Sequence, residues 1–156
     1  MYMSALPFFE WLTTSPWANA MNGPEWAFPV VQSLHFMGFA LSIGTIAIVD
    51  LRLLGLGLQQ SASEIAAALA PWTVWGFVVM LITGALMFSA DAVQYHVNPS
   101  FQFKMTCLSV ALLFHFTIHR KATGPGVSPI AAKLAAGLSL VLWTAVIGGG
   151  RMIAFV

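Results

Sequence analysis

Charge is the scarcest feature of this sequence. Asp, Glu, Lys and Arg together make up 7% of its 156 residues, against roughly 25% in a soluble globular domain. Six basic and five acidic residues leave a net charge of +1, so there is no basic surface for nucleic acid. Cys107 is the single cysteine. That excludes an intrachain disulfide, a Cys-x-x-Cys redox pair and a covalent c-type haem site. The sequence has no phosphate loop, no dinucleotide fingerprint and no Gly-x-Ser-x-Gly elbow. No carboxylate lies at the middle of an apolar run as an obvious ion-coupling site. Met1 to Asn22 has no basic start, and Pro7, Glu10 and Pro16 break its apolar residues, so it does not read as a cleavable signal peptide.

What is abundant is apolar sequence, at 59%. Four runs stand out, over residues 27–49, 71–90, 101–118 and 131–147, and an apolar tail continues to Val156. Each is near the roughly 20 residues that cross a ~30 Å hydrocarbon layer as a helix. A single chain of this size with such long unbroken runs does not close a barrel, and the alternation of barrel strands is absent. The expectation is an all-α, four-transmembrane-helix bundle, one integral membrane domain over residues 1–156, in contact with the lipid bilayer. Helix-start signals agree. Asn22-Gly23-Pro24, Asn98-Pro99 and Ser128-Pro129 precede runs one, three and four. Ser61-Ala62-Ser63-Glu64 forms a capping box for a short helix leading into run two, where Pro71 is expected to kink the chain. Gly124-Pro125-Gly126 marks the loop between runs three and four. Arg52, Arg120, Lys121 and Lys133 lie at one face, against Lys104 and Arg151 at the other. This bias predicts both termini on the outer side of the membrane. Phe8, Phe9, Trp11 and Trp17 then make a short N-terminal interfacial segment, either an amphipathic helix or an ordinary aromatic belt.

Polar side chains at membrane depth are costly and are read first for function. His35 sits nine residues past Trp26, roughly 13 Å down its helix. Gly38 and Ser42 share its stripe and leave room either for a flat ligand or for another helix. His115 lies twelve residues past Phe103, roughly 18 Å along the third run. Runs one and three point the same way, so the two imidazoles differ in depth by only about 5 Å on this count. Two histidines at one depth suit the axial ligands of haem b. A helix starting at Pro99 would put His115 several Å deeper and weaken the match. His119 lies one turn beyond His115, a spacing that can chelate a metal, although beside Arg120 and Lys121 a solvated interfacial histidine is the simpler reading. His96, five residues after Asp91, offers a metal or proton-relay pair or two ordinary loop residues. Met80 and Met87 share a face of the second run with Gly76, Thr83 and Gly84, a bundle seam that could also place thioethers on copper(I). Asp50 and Arg52, two residues apart, do not share a helix face. Lys104 or Arg151 could hold a haem propionate or snorkel to the interface.

His35, Gly38, Gly44, Asp50, Arg52 and Gly55, with Lys104 opening the third run, resemble an uncharacterised family of small four-helix bacterial inner-membrane proteins. That resemblance covers most of the chain and implies a location but no settled function. A more distant similarity, limited to the first run and the start of the third, is to the copper-resistance D superfamily, and implies copper handling. The bundle with intramembrane histidines is similar in architecture to b-type cytochromes.

The leading expectation is therefore a b-type cytochrome-like protein or subunit. It would hold haem between His35 and His115, with Gly38 and Arg151 beside it, and exchange electrons with a quinone pool or a redox partner subunit. The alternatives are a copper-binding or transporting protein using His35, His96, Met80 and Met87, and a non-catalytic anchor subunit of an oligomer or larger complex.

Overall fold

A computed structural model describes residues 6–57 and 59–155. The start of the N-terminal segment and the last residue of the apolar tail lie outside them. Among the described residues there is no strand. Two short helices, α1 (Leu6–Thr13) and α2 (Pro16–Asn22), precede the first long one, α3 (Ala27–Leu53). Then come α4 (Ala62–Ala90), the short α5 (Ala92–Val97) and α6 (Pro99–Phe114). A π-helical segment (His115–His119) and α7 (Arg120–Ala122) extend α6, and α8 (Pro129–Met152) ends in a 3-10 turn. α3, α4, α6 with its extension, and α8 are each long and apolar enough to cross a membrane.

The local signals explain most of the boundaries. Ser61 accepts from Glu64 N at 3.2 Å while Ser61 N donates to the Glu64 carboxylate at 2.9 Å, a complete capping box. α4 continues through Pro71 as one helix, so the expected short helix and second run are a single element. Asn98 Oδ1 caps α6 through Phe101 N at 3.0 Å, and Ser128 caps α8 through Ala131 N at 3.2 Å. α3 departs from expectation. It starts at Ala27 without a side-chain cap, and Asn22 instead donates to Ala90 O at 2.9 Å, tying α2 to the end of α4.

α3 packs most closely on α4, and α6 on α8, while α3 also lies along α8. The α3–α4 seam is a backbone contact. A Cβ on Gly76 would fall 2.6 Å from Ser42 N and 2.7 Å from Gly38 O. α4 and α6 instead meet through large rings: Phe88 on Phe101 at 5.2 Å and Phe77 on His115 at 5.7 Å. Ile46, Phe77, Met80, Leu108, Ala111, Trp143 and Val146 form the central core. A second cluster around Val49, Leu53, Phe114 and Ala136 lies towards the α3–α4 and α7–α8 loops. We call that end of the bundle the loop end, and the opposite one the terminal end.

Candidate functional site

The polar side chains inside the bundle fall into two groups at different depths. At the terminal end, His35 on α3 faces α4. Its Nδ1 lies 3.0 Å from Thr83 Oγ1, and that hydroxyl donates to Val79 O at 2.6 Å. With its proton committed there, Thr83 is the acceptor, and His35 carries its own proton on Nδ1. His35 Nε2 is thereby left with the lone pair. Gly84 makes space for the ring, since a Cβ there would approach His35 Cε1 to 3.1 Å. Lys104, on α6, leans on α8, with its Cβ 3.1 Å from the position a Gly149 Cβ would take. Among the described residues it has no carboxylate partner.

At the loop end, Asp50 and His119 meet across α3 and the π-helical segment. His119 Nε2 donates to Asp50 Oδ1 at 2.6 Å, and their side chains are 0% and 3% exposed for Asp50 and His119 respectively. The His115 ring stacks on His119 at 5.1 Å with 26° between planes, and its edge meets Phe77. A π turn inserted in an α-helix is rare and is frequently found at functional sites. Here it spans both histidines.

Sequence reasoning named His119 but set it at a solvated boundary, and it treated Asp50 as a flanking residue. Both are buried. The signal lay in chain lengths. α3 extends to Leu53 and the third span to Ala122, so both residues are still helical, in the last turn of each span, and pack against each other.

The expected common depth of His35 and His115 is corrected as well. α6 begins at Pro99, which lowers His115 towards the loop end. His35 is level with Thr83 and His115 with Phe77; those six residues of α4 span about 9 Å. Along α3, His35 is fifteen residues from Asp50, roughly 22 Å, and His115 is one turn from Asp50's partner. His35 and His115 thus differ in depth by about 9 Å along α4, more than the count along the sequence gives. Gly38, expected beside the macrocycle, lies against the α4 backbone at Gly76 and Met80.

The remaining candidates lie at the terminal end. His96 Nδ1 donates to Val93 O at 2.6 Å, and its ring stacks on Phe9 at 4.4 Å. Asp91 caps α5 through Gln94 N at 3.3 Å rather than facing His96. Burial, and after it the nearby Asp91 carboxylate, push the Tyr95 phenol upward from its ordinary range. Arg151 is exposed, its guanidinium 5.9 Å from the Phe155 ring. Among the described residues, no three His, Cys, Asp or Glu side chains are grouped to hold a metal ion.

No curated protein and no solved structure gives a significant match to this chain. Over residues 8–156 the sequence matches a family of unknown function, DUF6644, and the chain belongs to that family.

Proposed function

We propose that this chain is a proton-handling membrane protein whose working site is the Asp50–His119–His115 group. The observation that carries the reading is the 2.6 Å bond between Asp50 and His119, both buried in a segment of membrane-spanning character. Ionisable residues in such segments are costly and mark ion pathways, proton relays and ligand sites. An imidazole can take a proton at one ring nitrogen and release one from the other. His119 thus passes a proton across its ring, with Asp50 stabilising the imidazolium that forms in between. Arg120 and Lys121 are exposed at the loop end beside it and mark the water-facing side from which protons arrive. The test is purified protein in liposomes carrying an internal pH dye, with proton movement driven by a potassium gradient and valinomycin. Wild type acidifies the lumen faster than protein-free liposomes, and Asp50→Asn and His119→Asn return the rate to background. Equal rates in wild type, variants and empty liposomes overturn the reading.

A second reading, redox-group binding at His35, is favoured by one specific observation. Ligating histidines are commonly fixed in one tautomer by a hydrogen bond from the other ring nitrogen, and His35 has that arrangement with Thr83. The Lys104 ammonium, which has no carboxylate partner among the described residues, disfavours a bare copper ion and suits a group bringing negative charge, such as a haem propionate. Electron transfer with a quinone or a partner subunit would follow from it. A dithionite-reduced absorption spectrum and elemental analysis decide the matter. Protein made with haem and copper available that shows no Soret band and no bound metal removes this reading.

A further inference from the structure

Three buried side-chain atoms have no hydrogen-bond partner among the described residues: Asp50 Oδ2, His115 Nδ1 and Ser139 Oγ. They belong to α3, the π-helical segment and α8, yet they share one layer. Ile46, Ala111 and Trp143 pack together in the central core. Asp50 and His115 each lie four residues after a member of that trio, and Ser139 lies four before Trp143. α3 and α6 run towards the loop end and α8 runs back, so all three atoms belong one turn below the core. Asp50 and Ser139 are 0% and 1% exposed. A buried polar atom left unpaired costs about 1–3 kcal/mol. A single water that accepts from the Ser139 hydroxyl and donates to Asp50 Oδ2 and His115 Nδ1 would satisfy all three. Three hydrogen bonds are the usual number for a buried water.

We infer that Asp50, His115 and Ser139 hold a buried water, and that Ser139 is the positioning residue that closes Asp50, the water, His115 and His119 into one relay. The inference rests on the proton-handling reading. A proton on Asp50 Oδ2 passes to the water as the water hands one of its own to His115 Nδ1. The water is regenerated, and the charge moves from the carboxyl group to the imidazole. Without the Ser139 donor the water loses its third bond, and the path between the carboxylate and His115 opens.

The experiment uses the full chain in liposomes and compares Ser139→Ala, Ser139→Thr and Asp50→Asn. Ser139→Ala lowers proton flux at least about tenfold, equivalent to roughly 1.4 kcal/mol, and shifts the 15N resonance of His115 Nδ1. Ser139→Thr keeps the hydroxyl and restores both. A purely structural serine would move the melting temperature without moving the His115 signal. If Ser139→Ala does not assemble, Ser139→Cys, a much weaker donor, is measured in its place. Wild-type flux and an unmoved His115 resonance in Ser139→Ala, with flux lost in Asp50→Asn, overturn the water and leave the proton reading standing. Flux retained in Asp50→Asn overturns both.

Discussion

Asp50 illustrates what one carboxylate does when a membrane span closes over it. Taking an ionised group out of water costs several kcal/mol unless a partner compensates, and His119 is that partner. Asp50→Ala leaves His119 buried without its acceptor and is expected to destabilise the bundle by about 3–5 kcal/mol. Asp50→Asn keeps an acceptor oxygen and is expected to cost less. Thermal unfolding in mild detergent, followed by circular dichroism, checks the order; a wild-type midpoint for the alanine variant contradicts it. The same reasoning applies to Thr83. Thr83→Val removes the hydroxyl that accepts from His35 Nδ1, at a cost of about 1–3 kcal/mol, whereas Thr83→Ser retains the wild-type midpoint. Of this chemistry the sequence disclosed His35 and the suspicion that its neighbours were small. The Asp50–His119 pair was not legible, because residues 69 positions apart declare no contact through local spacing. Their neighbours Arg52, Arg120 and Lys121 also read as the edge of a span. Burial, not residue type, separates them from ordinary interfacial groups.

Helix starts were legible wherever a cap and a proline coincide, as at Asn98-Pro99 and Ser128-Pro129, because the side chain satisfies an orphan backbone donor locally. The start of α3 was not, because Asn22 is used in a tertiary bond to Ala90. Pro71 does not divide α4: a proline removes one backbone bond, and the rest of the helix continues beyond it. The seam between α3 and α4 was half legible. Gly38 and Gly76 announced close approach, but their sequence left open whether a ligand or a helix fills the space. The structure places backbone there. Gly76→Ala must therefore push α3 away, with an expected loss of about 1–3 kcal/mol from overpacking. Gly44 and Gly137 have nothing within 4 Å of an added Cβ, so Gly44→Ala and Gly137→Ala are expected to unfold as wild type does. Melting curves for the three variants side by side test the seam, and equal losses at all three positions would remove it as the cause.

As a whole, the molecule is a thin bundle turned outward. Only 22–33% of each apolar window is buried within it, and Trp11, Trp17 and Trp26 stand exposed at one end. Such aromatics favour the two membrane interfaces. Four crossings bring α1 and the end of α8 to one face: α1 lies on α5, and Asn98 Nδ2 reaches Ile153 O at 3.4 Å. The proton reading depends on this arrangement, because Asp50 and His119 approach only if α3 and α6 run in the same direction. Cysteine accessibility tests it in intact spheroplasts, with Cys107 first replaced by alanine so that no native thiol competes. Thr14→Cys and Phe155→Cys should react with an impermeant maleimide from one side of the membrane. Gln59→Cys and Val127→Cys, in the two loops at the opposite end, should react only after the membrane is opened, if the basic residues there hold those loops in the cytoplasm. Inverting the whole protein would exchange the two pairs and leave the site intact. Labelling of Thr14→Cys and Phe155→Cys from opposite sides would mean an odd number of crossings, and α3 and α6 would then no longer bring the carboxylate and the imidazole together.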